Sequence, residues 1–411
     1  MIKIYEALKV ALIAIWANKG RAFLTMLGMI IGISSVVSLI AVGQGVKEDV
    51  SRQISGLGSN LLFVVPGKID TSGGSSGFGG SNAVAMSGGN ILTQKDIDVI
   101  AKTKGVQEYT PLMIIPGVIK YQDQISEKGI ITGVLPVAQN IMTGFELVNG
   151  RYIQDADSEK NVIVIGSPIA NDLFGSADKA LNKEVLIGKN TFKVIGVSKT
   201  KTSGSILGGN EMEGVCSIPL KTAENLVGTL SISRILVQVE DADQIRSVQE
   251  SLIKKILINH NQTEDFSVLT QEDMLDFLNN ILQIMTALIT AIASISLVVG
   301  GIGIMNIMLV SVSERTHEIG LRKAVGANRS DILLQFIIEA IIISIVGALI
   351  GLLLAYIGTQ IVSAKSVLHP VITWYAVGLA GGISIGIGLV FGILPAIRAA
   401  RKNPIDALRW E

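Results

Sequence analysis

The densest run of side chains capable of chemistry reads S-E-R-T-H-E-I-G-L-R-K-A-V-G-A from Ser313 to Ala327. Glu314, Arg315, Glu318, Arg322 and Lys323 alternate in sign along it, and Glu318 and Arg322 stand four residues apart, the spacing at which an acid and a base brace a helix. His317–Glu318 lacks the second histidine of H-E-x-x-H, so the run does not hold zinc as a metalloprotease helix does. Two readings remain: a charged, solvated helix end, or a surface that docks a partner. Two further polar groups lie inside long apolar runs. Glu339 is costly in hydrocarbon, so it is expected either to act within the membrane or to pair with Arg322, Arg329 or Arg398. Asn306 is expected to hydrogen-bond between helices rather than to hold a transported ligand. Elsewhere catalytic chemistry is hard to find. No G-x-x-x-x-G-K-[ST] sequence exists to cradle a nucleotide phosphate, and Gly300, Gly301 and Gly303 sit inside an apolar run that suits helix packing. The lone Cys216 excludes an internal disulfide and a multi-cysteine metal site, and His260, His317 and His369 are scattered. The chain is expected to be no enzyme and to carry no cofactor or metal.

The elements that position these groups follow from hydropathy. The chain has 411 residues, 44 of them glycine, no net charge and a mean hydropathy of +0.53. With no basic run, nucleic acid is excluded as a partner. Apolar stretches predict four transmembrane helices, at 22–43, 281–312, 332–362 and 372–397. The first exceeds the apolar core of a cleaved signal peptide and is read as an anchor. The second belongs to an uncharged run from Phe277 to Ser313 that as a helix would reach about 55 Å, more than a bilayer needs. Asn279, Asn280 and Gln283 are therefore expected at the foot of a stalk (269–283), partnered by 44–57. The last two helices form a hairpin joined by a short outside loop, 363–371. Lysines and arginines cluster before the first span, in the 313–331 loop and in the 398–411 tail, while only Lys365 lies in the hairpin loop. The positive-inside rule then predicts cytoplasmic termini and a cytoplasmic 313–331 loop, with 44–280 outside. Tyr5, Leu8, Leu12, Ile15 and Trp16 share one helical face within 1–21, which predicts an interfacial helix on the inner leaflet. Glycines recur at four-residue spacing as Gly28/Gly32, Gly347/Gly351, Gly378/Gly382/Gly386 and Gly388/Gly392, the signature of close helix packing.

The outside region mixes β-like and helical patterns. Strands are predicted at 61–65, 117–121, 130–134, 161–165, 184–187, 191–197, 215–219 and 235–240, with a hairpin turn at 188–190. Helices are predicted from Thr93, with Asp96 completing a capping box, and through 242–257. Two βα halves, 58–110 and 229–268, would form one subdomain, with 111–228 inserted as a second. The 67–90 stretch is rich in Gly, Ser and Asn and is read as a flexible loop. The predicted fold is an integral membrane α-helical protein with four transmembrane helices and a large α+β extracytoplasmic domain of two subdomains on a helical stalk.

Together with the Ser313–Ala327 run, the C-terminal P-A-I-R-A-A-R-K-N-P-I-D-A-L-R from Pro395 to Arg409 resembles the signatures of the MacB/FtsX permease family. The family pattern places E-R-x-x-E-I-G-x-R-K-A-x-G-A after the second span and P-A-x-x-A-x-x-x-P-x-x-A-L-R at the end, in the same overall order of spans and outside domain. His317 stands where arginine is frequent, which leaves the local charge open. The resemblance implies a homodimer in a bacterial inner (cytoplasmic) membrane, working with two ABC ATPase subunits that bind ATP and Mg. It makes the 58–110/229–268 subdomain porter-like. The MacB protein carries its ATPase ahead of the first span, so here a separate ATPase polypeptide is expected. Glu314, Arg315, Glu318, Arg322 and Lys323, as a helix rigidly continuous with the stalk-forming span, would couple ATPase closure to the outside domain by mechanotransmission, with Ile319 and Leu321 touching the ATPase and the 404–409 segment either a second contact or an anchor at the membrane end. A membrane-fusion-type adaptor is a further implied partner. The implied function is export or extraction of an antimicrobial peptide, drug, toxin or lipoprotein. The alternatives are an FtsX-like subunit that activates a cell-wall hydrolase, for which the outside domain is large, and an ATP-independent binding protein, against which the signature argues.

Overall fold

The computed structural model describes residues 19–55, 60–69, 91–127, 129–142, 144–200, 214–366 and 368–408. Residues 1–18 of the expected interfacial helix (1–21), residues 70–90 of the glycine-rich stretch, and Arg409 lie outside them. The chain divides into two compact units, residues 47–281 and the segments on either side. It opens on helix α1 (Lys19–Ser55).

The 47–281 unit is built on a sheet of twelve strands in the order β12-β1-β11-β2-β5-β10-β7-β9-β8-β3-β4, with β6 on β9. In chain order these are β1 (Leu61–Pro66), β2 (Val106–Ile115), β3 (Ile119–Tyr121), β4 (Gln124–Ser126), β5 (Ile130–Val134), β6 (Phe145–Gly150), β7 (Val162–Gly166), β8 (Glu184–Ile187), β9 (Asn190–Thr200), β10 (Val215–Pro219), β11 (Arg234–Val239) and β12 (Phe266–Thr270). The predicted turn is the two-residue link between β8 and β9, where Ile187 pairs with Asn190 and Gly188 takes a φ of +60°. Helices α2 (Gln94–Ala101) and α6 (Ile245–Asn259) cover one end of the sheet, burying Ile97, Ile100, Val248 and Leu252 against Leu62, Val64, Ile235 and Val237. Farther along, α4 (Ser167–Phe174) and α5 (Leu220–Val227) contribute to a second core around Ile163, Phe192 and Ile218. Leu61 and Phe63 of β1 join Leu112, Val134 and Ile141 of α3 (Ala138–Ile141) in a third core. Alternate residues of β1 thus enter different cores, which is why L-L-F-V-V is apolar throughout instead of alternating.

The two expected subdomains share this one sheet, which carries three cores. A boundary at 111 falls inside β2, whose Val106–Leu112 portion pairs with β11 while Met113–Ile115 pairs with β5.

The capping box at Thr93 is present: the Thr93 amide donates to the Asp96 carboxylate at 2.8 Å. Asp96 is fully buried and also meets Asn259 Nδ2 at 3.0 Å and His260 Nε2 at 3.1 Å, while His260 Nδ1 lies 2.6 Å from Asp265. Burial by itself would raise the Asp96 carboxyl, but hydrogen bonds from Asn259, Thr93 and His260 outweigh it and hold Asp96 below the usual 3.8. Burial would likewise lower His260, and the two carboxylates outweigh it, raising the imidazole above its usual 6.5.

The remaining chain carries α7 (Gln271–Glu314), α8 (Thr316–Ala324), α9 (Arg329–Lys365), α10 (Trp374–Arg401) and α11 (Pro404–Leu408). Among the described residues, four helices are long and apolar enough to cross a membrane: α1, α7, α9 and α10. Asn279, Asn280 and Gln283 lie within α7, which starts well before the apolar run. Met29, Ile30 and Ile33 of α1 form one core with Ile304 and Met308 of α7, Phe336 and Ala340 of α9, and Ala396 and Ala399 of α10.

Two glycines let backbones touch. A Cβ on Gly28 would sit 2.8 Å from the Ser296 carbonyl oxygen and 2.9 Å from the Gly300 nitrogen, and one on Gly388 would sit 2.8 Å from Ile341 Cα. The packing expected of Gly378, Gly382 and Gly386 is not found among the described residues, where a Cβ would meet nothing within 4 Å. Hydroxyls inside the helices bond their own backbone: Ser344 to Ala340 O at 2.9 Å, Ser294 to Thr290 O at 2.7 Å and Thr286 to Leu282 O at 2.6 Å.

Candidate coupling site

Between α7 and α9 the chain makes a short charged helix, and local chemistry explains both of its ends. Helix α7 stops at Glu314. Arg315, at φ −100° and ψ 19°, is the N-cap of α8, and the Thr316 hydroxyl donates back to Val312 O and Ser313 O at 3.0 and 2.8 Å. The expected rigid continuity of the charged helix with the span is thus replaced by a one-residue joint. At its far end the Ala327 amide donates to Arg322 O and the Gly326 amide to Lys323 O, the paired bonds of a Schellman motif. That motif needs a left-handed residue after Val325, and Gly326 supplies it at φ +104°. Asn328 then caps α9 in a box with Asp331. The sequence R-K-A-V-G-A-N-R-S-D therefore encodes stop, turn and restart without a gap.

These turns bring together groups that are distant in sequence. Arg315 Nη1 lies 3.1 and 3.4 Å from the two carboxylate oxygens of Glu339, whose side chain is 2% exposed, and Arg315 Nε lies 2.9 Å from Glu318. The guanidinium also stands over the Phe336 ring at 5.9 Å. Glu339 thus pairs with Arg315, and not with the expected Arg322, Arg329 or Arg398; the one-residue joint turns Arg315 toward α9. Arg322 donates to Glu318 at 2.6 Å, the predicted i,i+4 bridge, and to Gln335, one turn before Glu339 on α9. The Arg315 hydrogen bond, above all, holds the Glu318 carboxyl below its ordinary range. Lys323 Nζ donates to Ala400 O and Lys402 O at 2.6 and 2.7 Å, satisfying carbonyls at the end of α10. Helix α11, with Pro404 at its first position and the Asn403 side chain accepting from the Ile405 amide at 3.3 Å, packs on α8 and buries Ala407.

The predicted site residues therefore divide. Arg315, Glu318, Arg322 and Lys323 form one network with Glu339, and Glu314 is exposed at the end of α7. Ile319 is only 3% exposed and belongs to the bundle core with Val312, Ile332 and Phe336, so the expected partner contact by Ile319 is corrected to a packing role. Leu321 is 53% exposed and Val325 84%, and Ile405 on α11 is 66% exposed. Asn306 is exposed, and among the described residues of this chain its amide has no hydrogen-bond partner. Sequence reasoning missed Gln335, the α10 carbonyls and Val325. The four-residue spacing of Gln335 and Glu339 on one helix face was the available signal for the first.

Residues 22–255 match the MacB-like periplasmic core domain, and residues 290–404, which contain this network, match the FtsX-like permease C-terminal domain. The chain is 34% identical over 415 residues to the uncharacterized ABC transporter permease YknZ of Bacillus subtilis, covering 100% of both. The chain belongs to the MacB/FtsX family of ABC transporter permeases. It is also 36% identical over 405 residues to the macrolide export ATP-binding/permease protein MacB of Bdellovibrio bacteriovorus, covering 96% of this chain and 60% of that protein. The chain thus spans about 60% of the length of such MacB relatives. Among solved structures, the periplasmic region of MacB from Actinobacillus actinomycetemcomitans aligns with 56% of this chain and 98% of its own, at 20% identity and a TM-score of 0.46. As a permease of this family, the protein spans a membrane and holds an extracytoplasmic domain.

Proposed function

We propose that this permease is the non-catalytic transmembrane subunit of a MacB-like ABC exporter in the bacterial cytoplasmic membrane, with both termini and α8 in the cytoplasm. ATP and Mg are bound by separate ATPase chains that dock on α8 and α11. Their closure displaces the bundle and, through α1 and α7, the outside domain, so that substrate is expelled without having to cross this subunit. The observation that carries this reading is the two-sided character of α8. Its inner side is fastened to α9 and α10 by Arg315, Arg322 and Lys323, while its outer side leaves Leu321 and Val325 open beside exposed charges. An exposed apolar pair on a rigidly held charged helix suits a partner groove better than water.

A homodimer completes the proposal, supported by the outward apolar stripe of α7, in which Ile292 is 65% and Ile295 68% exposed. A membrane-fusion-type adaptor outside is the further partner that the family resemblance implies. The extent of the match to the MacB-like core domain favours export of a peptide, drug, toxin or lipoprotein over hydrolase activation.

The test is co-purification of the full chain with the ATPase encoded beside it, with ATP hydrolysis measured for wild type and for Leu321→Glu/Val325→Glu. A stable complex lost in the double variant, with unchanged membrane insertion, is the expected result. An intact chain that binds no such ATPase would overturn the proposal.

A further inference from the structure

Along α7 the outward positions Leu288, Ile292, Ile295, Val299, Ile302 and Asn306 follow one another at alternating steps of four and three residues, and every one is exposed. That period is the a/d seam of a left-handed helix pair. The opposite face of the same helix is already used, with Leu297, Ile304 and Met308 buried in the bundle. The seam is apolar from Leu288 to Ile302 and then meets a carboxamide.

Asn306 lies about 12 Å along the helix from Glu314, at 1.5 Å per residue. If the charged joint marks the bilayer surface, the amide is well inside a hydrocarbon core about 30 Å thick. Serine and threonine hydroxyls in these helices satisfy themselves on carbonyls of their own helix, as Ser294 does. An asparagine side chain has two N–H donors and an acceptor, and among the described residues Asn306 makes no bond to a carbonyl of its own helix. Lipid chains offer it nothing. A partner group must therefore be polar, able both to donate and to accept, and at the same depth. A second copy of this chain, related by a twofold axis along the membrane normal, supplies one automatically, because its own Asn306 arrives at the same level of the same seam.

We propose that two copies pack along α7 with the Asn306 carboxamides hydrogen-bonded to each other, and that this polar layer fixes the register of the seam. The proposal rests on the dimer reading above and adds to it the group that sets alignment. Five apolar seam positions without Asn306 hold two helices together but leave neighbouring rotations and one-step slips close in energy; a buried amide pair penalises every alignment that separates its two halves.

The experiment places single cysteines in the full-length chain by Val298→Cys, Val299→Cys, Ile302→Cys and Met305→Cys, each with Asn306, Asn306→Gln or Asn306→Val, and oxidises them in native membranes. The natural Cys216 is fully buried in the other unit and stays in place. With Asn306, disulfide dimers form at Val299→Cys and Ile302→Cys in clear excess over the off-seam positions. Asn306→Val keeps dimers but spreads the yield over all four sites, and Asn306→Gln restores the preference. An unchanged pattern in Asn306→Val overturns the register role while leaving the dimer standing. No disulfide at either seam position with Asn306 intact overturns the dimer reading and this inference with it.

Discussion

Replacing Arg315 with methionine removes the guanidinium that lies 3.1 and 3.4 Å from the oxygens of Glu339 and leaves that carboxylate buried at 2% exposure. Taking one partner from a buried ion pair costs about 3–5 kcal/mol, because the other charge stays where it is without compensation. The Arg315 side chain is 20% exposed, so water enters from its side and the lower end, about 3 kcal/mol, is expected. Glu339→Gln is milder. The amide oxygen still accepts from Arg315, and the guanidinium keeps Glu318 at 2.9 Å, so about 1 kcal/mol is lost. Removing both charges together, as Arg315→Met/Glu339→Gln, leaves no uncompensated charge beside Phe336, so the double variant loses about 2 kcal/mol where simple addition gives about 4. A double-mutant cycle by SDS titration of the purified permease in micelles should give a coupling energy of about 2 kcal/mol. Equal losses for the two single variants, with a strictly additive double, would refute the claim that this pair is a buried lock.

Four other substitutions separate the roles of individual residues. Ile319→Ala should cost about 2–4 kcal/mol of bundle stability, since the side chain is in the core, whereas Leu321→Ala should stay within about 0.5 kcal/mol while weakening ATPase co-purification; thermal unfolding and pull-down distinguish them. Gly326→Val forces a branched side chain to a φ of +104°, costing about 1–3 kcal/mol although no atom blocks its Cβ, and ATP hydrolysis by the docked ATPase should lose its stimulation. In the outside domain, raised His260 stabilises most fully below 6.5, with that contribution lost as pH rises through its folded value. Lowered Asp96 stabilises above 3.8 and loses its share as pH falls through its own folded value. Urea unfolding across pH should therefore show a maximum between these limits, and His260→Gln should flatten the alkaline side; an unaltered alkaline limb would count against the Asp96–His260–Asp265 contact.

How much of this was legible in sequence differs by element. Strands β1, β5, β8 and β10 announce themselves as short apolar runs between turn residues. Strand β2 does not, because V-Q-E-Y-T-P-L-M-I-I begins polar and carries Pro111, which demotes a strand. Because β2 pairs first with β11 and then with β5, missing it also concealed the continuity of the sheet. Strand β6, F-E-L-V-N-G, pairs only with β9, and such edge strands alternate weakly. At the coupling site the Glu318–Arg322 bridge is visible as a spacing. The Arg315–Glu339 pair is not, since it depends on the joint at Arg315 and the turn at Gly326 acting together. The fate of Asn306 was hidden for another reason. Both faces of α7 are apolar, so periodicity shows two candidate seams without saying which one the bundle consumes.

The way α8 is fastened bears on how force could travel. Arg322 ties it to α9, Lys323 ties it to the end of α10, and Ile319 is sunk in the core between them. Any push on Leu321 and Val325 therefore moves the α9–α10 hairpin along with α8. Toward α7 the only covalent link is Arg315, which is not helical but is held at once by Glu318 on α8 and Glu339 on α9. A helix unbroken from α7 into α8 would pass every tilt of α8 straight into the membrane span. A pinned joint passes displacement, because the two carboxylates hold its position, and it turns the helix axis, because the Arg315 dihedrals leave the helical region while its amide and carbonyl still bond Ser311 and Ile319. An α7 seam between two copies needs that separation of axes: its register survives only if α7 keeps its own axis while the coupling helix rocks. Arg315 is then the residue where transmission and dimer geometry meet, and its loss should uncouple ATP hydrolysis from the outside domain without separating the two copies.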